Sequence, residues 1–199
     1  NSFLRSYNDG FGSRDLSVLD VLDSQLVKAG TVVFEKRKDF LLQFLPSVKS
    51  GYNDIARNYE PISLVYESEL LGSDFEKLLQ AGRQKDLVIQ RTTTGPHRDD
   101  LLFNMGEQPF KTIASQGQRK SLLFALKLAE MEVLKREKGI APILLLDDVF
   151  EKLDEERISN LLQSVCNDSD SQIFITDTNC TRLEAQLQNL KPSFQLIQL

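Results

Sequence analysis

Four short stretches between Ile113 and Thr178 decide the fold: Ala114-Ser115-Gln116-Gly117-Gln118, Ile143-Leu144-Leu145-Leu146-Asp147-Asp148, Glu151-Lys152-Leu153-Asp154 and Gln172-Ile173-Phe174-Ile175-Thr176. Ser115 stands just before a long helical pattern, where a serine side chain caps the free N–H groups of a first turn. Gly117 lets another backbone approach closely, and Gln118 carries both a donor and an acceptor. A small polar loop feeding a helix N-terminus suits an anion, because the N–H groups and the helix dipole point the same way. Leu122, Ala125, Leu126, Ala129 and Val133 mark one face of that helix, and Gly139 stops it.

The apolar run opens at Pro142. Consecutive large aliphatics without alternation predict a strand covered on both faces. Two carboxylates at the C-terminal end of such a strand sit where α/β sheets place ligands. Neighbouring strand residues point to opposite faces, so Asp147 and Asp148 need not share a job. One could hold a hydrated Mg²⁺, which takes one or two carboxylates plus phosphate oxygens; the other could orient or deprotonate a water. Asp154 caps a predicted helix over Glu155–Val165, with Leu161, Leu162 and Val165 inward. Asn167-Asp168-Ser169-Asp170 reads as a polar turn, Gln172–Thr176 as a second buried strand, Leu183–Leu190 as a helix and Phe194–Leu199 as a closing strand.

The chain ahead of these stretches is helical by pattern. Residues 1–13 hold Gly10 and Gly12 and read as a loop or frayed helix end. Helices are predicted over Arg14–Ala29, ended by Gly30, over Thr31–Leu45, ended by Pro46, and over Ser47–Tyr59, with Val48, Tyr52, Ile55 and Ala56 as core. Lys36-Arg37-Lys38 reads as a solvated face in preference to a DNA-facing patch. Pro61 marks a boundary. Beyond it come a strand over Ile62–Tyr66, a short helix from Ser73 to Ala81 with Ser73 or Asp74 at its cap and Gly82 at its end, and Leu87–Thr93, helical or extended, with the threonine run favouring extended. Gly95-Pro96 is a turn signal before a strand over Asp100–Asn104. His97, the sole histidine, is either bonded to neighbouring backbone or, with Arg98, placed near a nucleotide or a partner. Gly106 turns the chain back, and Pro109–Ile113 returns it to the Ser115 loop.

With 199 residues, 41% hydrophobic and 27% charged, the chain has the composition of a globular protein. A net charge of −5 argues against a strongly basic nucleic-acid coat. Cys166 and Cys180 show no metal-ligand spacing and read as free thiols in a reducing compartment. A signal peptide and a membrane-length apolar run are both lacking in these residues.

Taken in order, the motifs resemble the RecF family, ABC-type ATPases akin to SMC proteins. Ala114–Gln118 is similar to the ABC signature loop, Ile143–Asp148 to a Walker B strand and Glu151–Asp154 to a D-loop. Thr94-Gly95-Pro96-His97-Arg98-Asp99-Asp100, Ala125–Glu130 and Pro142–Val149 carry the narrower resemblance, which covers about residues 92–180. It implies an α/β fold: the C-terminal lobe of an ABC-type ATPase, a largely parallel buried sheet with flanking helices, over residues 61–199, plus an α-helical arm over residues 1–60. It implies a cytoplasmic DNA replication and repair protein of the SOS response that binds ATP with Mg²⁺ and binds single-stranded or junction DNA. Such a protein forms an ATP-dependent homodimer, hydrolyses ATP slowly and works with mediators of the RecO/RecR type to load a recombinase.

Carried over residue by residue, Ser115, Gln116, Gly117 and Gln118 contact the γ-phosphate of ATP held by a partner. Asp147 binds Mg²⁺ through water, Asp148 is the catalytic carboxylate and Asp154 lies at the dimer seam. His97, Arg98 and Asp177 fall near the nucleotide. Two positions depart from the ABC pattern. Asp148 stands where many members have Glu, which implies slow hydrolysis, and Thr176-Asp177-Thr178 stands where many have a switch histidine. The chain lacks Gly-x-x-x-x-Gly-Lys-[Ser/Thr], and it opens inside arm-like sequence without Met; it is read as a fragment C-terminal to the phosphate loop, inactive alone. The alternatives are a non-enzymatic repair scaffold, and another SMC-type ATPase, which would need longer heptads than the arm shows. A two-metal nuclease would need further acidic ligands beside Asp147 and Asp148.

Overall fold

The computed structural model describes residues 1–9, 16–57, 60–149, 151–166, 171–178, 180–190 and 193–197. The fold is α/β. Contacts divide it into two compact units, Asn1–Leu42 with Val65–Leu102, and Gln43–Leu64 with Phe103–Leu199. These bounds differ from a single division at residue 60, because helix α2 (Ser17–Ala56) contributes residues to both units.

Helix α2 replaces the three helices expected over residues 14–59. Pro46 lies inside it rather than ending it. A proline costs a helix interior about 3 kcal/mol. Leu45, Val48, Tyr52 and Ile55 are buried around it, each side chain contributing about 1.5–3 kcal/mol on burial, so packing outweighs the local penalty. Gly30 does not break the helix either. A Cβ there would fall 2.4 Å from the Phe75 ring, so glycine at this position permits close packing.

In the first unit, α1 (Ser2–Asp9) and α3 (Phe75–Ile89) accompany the first part of α2, with Leu4, Leu19 and Leu87 buried together. Asp74 caps α3, its Oδ1 accepting from the N–H groups of Glu76 at 3.0 Å and Lys77 at 3.3 Å. The helix passes through Gly82 instead of ending there, because Leu79, Asp86 and Leu87 bury one face on both sides of it. Buried Asp86 accepts the N–H and hydroxyl of Thr93 at 2.9 and 2.6 Å. That turns the threonine run back onto the helix; of the two readings of Leu87–Thr93, Leu87–Ile89 takes the helical one, against the extended form that the threonines favour.

The second unit holds the larger core. Val48, Tyr52 and Ile55 of α2 pack with Leu122, Ala125 and Ala129 of α5 (Gln116–Lys138) and with Ile158, Leu161, Leu162 and Val165 of α6 (Glu155–Cys166). Leu183 and Leu187 of α7 (Cys180–Leu190) complete it. Strands β1 (Ile62–Glu67), β2 (Asp100–Met105) and β3 (Gln108–Pro109) form one sheet in that order, with β2 and β3 antiparallel around Gly106. A one-turn helix α4 (Phe110–Ile113) then leads to Ser115.

Strands β4 (Leu144–Leu146) and β5 (Ile173–Ile175) pair in parallel, Leu145 opposite Phe174. Burial on both faces, expected from the apolar run, is not what they show. Leu144 and Leu146 enter the core, while Leu145 is 72% and Phe174 48% exposed. The strand alternates, and among the described residues helices cover one face only. Residues 193–197 form no strand, against the closing strand expected there. Gly10, Gly12, Arg14, Tyr59, the turn at 167–170 and residues 198–199 lie outside the described residues. Within the described residues no helix is long and apolar enough to cross a membrane.

Candidate functional site

The start of α5 is a reciprocal capping box. Ser115 Oγ accepts from the Gln118 N–H at 3.2 Å, and Gln118 Oε1 accepts from the Ser115 N–H at 2.8 Å. First-turn N–H groups have no partner within a helix. The box therefore leaves the N–H groups of Gln116 and Gly117, the Ser115 hydroxyl proton and the Gln118 amide as donors for an anion. Ser115 and Gln116 are exposed; Gly117 and Gln118 are half-buried. The expected capping role of Ser115 and the stop at Gly139 both hold.

The carboxylates follow β4. Asp147 is exposed, and the Thr176 hydroxyl donates to its Oδ1. The Asp148 N–H in turn donates to Thr176 Oγ1 at 3.4 Å. Thr176 stands directly after β5, its own N–H on the Leu146 carbonyl at 2.9 Å. The residue read as a departure from the switch histidine thus steadies the first carboxylate. Asp148 adopts a left-handed backbone, φ 51°. A hydrogen bond with Glu151 raises its carboxyl above the ordinary range, helped by partial desolvation and the charges of Glu151 and Asp177 and opposed by Lys120. The same bond, with Lys152, lowers Glu151.

Asp154 caps α6, Oδ1 accepting from the Arg157 N–H at 2.8 Å. Arg157 itself went unremarked in the sequence, and it is 9% exposed. Its guanidinium donates to Ser121 Oγ at 3.0 Å and to Glu60, and its Nε lies 3.4 Å from Asp154 Oδ2. Ser121 Oγ donates to the Gly117 carbonyl at 2.9 Å, and the Tyr52 hydroxyl donates to Glu60. One buried network therefore joins the Ser115 loop, the Asp154 turn and the end of α2. A hydrophilic residue at the third position of an inward-facing helix was the available signal.

Ser115, Gln116, Gly117, Gln118, Asp147, Asp148, Asp154 and Asp177 all belong to the second unit. His97 and Arg98 belong to the first, exposed on a short 3₁₀ turn, Pro96–Arg98. His97 Nε2 lies 3.2 Å from the Thr92 carbonyl, as the backbone-bonded reading expects. Asp99 is the anchored member of this motif. Arg37 donates to Asp99 Oδ2 at 2.9 Å and to the Pro96 carbonyl at 2.6 Å, and the Tyr66 hydroxyl also donates to Asp99. Arg37 is therefore not merely solvated, whereas Lys38 pairs with its helix neighbour Glu35 at 3.0 Å.

Among the described residues no three His, Cys, Asp or Glu side chains cluster as a metal cage. Asp147, exposed and oriented by one hydroxyl, suits an ion that keeps its waters and draws other ligands from phosphate. Neither cysteine is in a disulfide and both are half-buried, and burial pushes the Cys166 thiol up.

No family model matches the chain. The DNA replication and repair protein RecF of Flavobacterium johnsoniae is 40% identical over 185 residues, 93% of this chain and 52% of that protein. The chain belongs to the RecF family. The RecF of Cytophaga hutchinsonii is 36% identical over 196 residues, 98% of this chain and 52% of that protein. A solved structure of the recombination mediator protein RecF with ATP, in the RecFOR pathway, superposes with a TM-score of 0.70 at 25% identity, covering 90% of this chain and 49% of that one. The chain thus spans about half the length of the RecF relatives it matches, and the architecture is that of the RecF ABC-type ATPase fold.

Proposed function

We propose that this chain carries the signature-loop and Walker B part of a RecF-type, ATP-dependent DNA replication and repair protein. The observation that supports this reading best is the capped start of α5 packed in one unit with the turn that follows Asp147 and Asp148. The names of the relatives, and the ATP in a solved neighbour, point the same way.

In this reading Ser115, Gln116, Gly117 and Gln118 donate to the γ-phosphate of ATP held on a second subunit. Asp147 holds Mg²⁺ through water, and the ion neutralises charge on the phosphates. Asp148 orients or deprotonates the attacking water, and its short side chain makes that step slow. Asp154 sits at the subunit seam, and Asp177 lies toward the nucleotide. The 199 residues contain no Gly-x-x-x-x-Gly-Lys-[Ser/Thr], so a phosphate loop elsewhere in the complete gene product cradles the ATP. ATP closes a homodimer on DNA, hydrolysis reopens it, and partners of the RecO/RecR type take over.

Ser115→Arg in the complete gene product tests this. The large cation fills the anion position on the partner-facing loop. ATP binding is expected to persist, while ATP-driven dimerisation, followed by light scattering, is lost. Unchanged dimerisation would refute the assignment of the loop.

A further inference from the structure

We propose that Lys120 is a positioning residue that ties the Ser115 loop to the backbone of Asp148, so that the start of α5 moves as one body with Asp148 and Lys152. Its consequence for hydrolysis rests on the reading of Asp148 given above.

Asp148 and Lys152 stand at the two ends of a turn, and both are left-handed, φ 51° and 66°. Aspartate visits that conformation more readily than most residues, whereas lysine holds it only where its surroundings impose it. The first turns of α5 touch the turn at both ends. At one end the Lys120 ammonium donates to the Asp148 carbonyl at 2.5 Å, a charge-assisted bond. The Glu151 N–H shares that carbonyl at 3.3 Å. At the other end Gly117 meets the Lys152 carbonyl so closely that a Cβ would lie 2.9 Å from its oxygen. Gly117 and Lys120 are three residues apart and share a helix face. The Lys120 ammonium also lies 5.8 Å over the Phe124 ring, which limits where its long side chain can go.

A shift of the Ser115 loop, as on meeting an anion, is therefore passed to the Asp148 carbonyl and so to the direction of its carboxylate. Lys120 makes this link through the Asp148 carbonyl, and its charge also favours the ionised Asp148 carboxylate.

The test uses Lys120→Met and Lys120→Arg in the complete gene product. Amide exchange by mass spectrometry reads the link without nucleotide. The Met variant should raise exchange at Asp148–Glu151 about tenfold, the size of one lost charge-assisted bond, while α6 amides around Leu161 stay unchanged. Arg should restore protection. With ATP, the Met variant should lower kcat about tenfold at unchanged KM and with dimerisation intact, and should add nothing in an Asp148→Asn background. Unchanged exchange at the turn, or a kcat loss that adds to that of Asp148→Asn, would overturn the proposal. If the wild type hydrolyses no ATP, the catalytic reading of Asp148 fails, and the exchange result alone still decides the link.

Discussion

Replacing Arg157 with Met removes the cation at the centre of the network in the second unit. The side chain is 11% exposed; Ser121 and Glu60 accept from it, and Asp154 lies within ion-pair distance. Burial works against its charge, and Glu60 and Tyr52 hold it in place. Methionine fills a similar volume, so the cavity term is small and the polar terms decide. The cap of α6 survives, because it uses the Arg157 backbone N–H. The Asp154 carboxylate is 64% exposed, so its pairing with Arg157 contributes about 1 kcal/mol at most. Glu60 is only 14% exposed and keeps just the Tyr52 hydroxyl. Stranding one partner of a buried pair costs about 3–5 kcal/mol, and the remaining hydroxyl places this case near the lower end. Urea denaturation should show the unfolding free energy lowered by that amount, read as a lower midpoint at an unchanged slope. Adding Glu60→Gln should recover part of the loss, because the two residues share one interaction. A loss below about 1 kcal/mol, additive with Glu60→Gln, would refute the reasoning.

Three further changes test the fold. Gly30→Ala should destabilise by about 1–3 kcal/mol through overlap with Phe75, whereas alanine at an open helix position stabilises by up to about 1 kcal/mol; thermal unfolding reads the sign. Pro46→Ala should stabilise by about 2 kcal/mol, by restoring a helix hydrogen bond and relieving the ring clash, and a loss in chemical denaturation would show that the proline is needed where it stands. Burial, then the bond to Glu60, raises the Tyr52 hydroxyl above the ordinary tyrosine range. The stability this confers is complete below that range and is lost as pH rises through the folded-state value. Ultraviolet titration should find Tyr52 ionising last, together with alkaline unfolding; ionisation within the ordinary range of a folded protein would contradict the burial.

Local chemistry was legible in the sequence. Ser115 with Gln118 three residues on, Gly139 past the last apolar residue and Asp154 ahead of α6 each solve a helix-end problem, and each is where the sequence places it. The signature-like loop, the Walker B-like strand and the D-loop-like turn in order, with Thr94–Asp100 upstream, were enough to point to the RecF family. Gly30, Pro46 and Gly82 were misread as helix ends, because their local signal is overridden by contacts distant in sequence, such as Phe75 on Gly30. Four aliphatics at 143–146 could not say that only Leu144 and Leu146 are buried, since that depends on what covers each face. The contacts that Lys120, Arg157 and Thr176 make escaped notice for the same reason. Their partners lie 28 residues away for Lys120 and Thr176, and 36 and 97 residues away for Arg157.

If these residues supply the partner-facing side of an ATP site and not its phosphate loop, the chain alone should not hold ATP. Calorimetry with ATP in Mg²⁺ buffer, on this chain alone and on the complete gene product, measures this. Heat of binding is expected from the complete product and none from the chain alone. Tight, saturable binding by the chain alone would contradict this, because the phosphates would then be held by residues other than those assigned here.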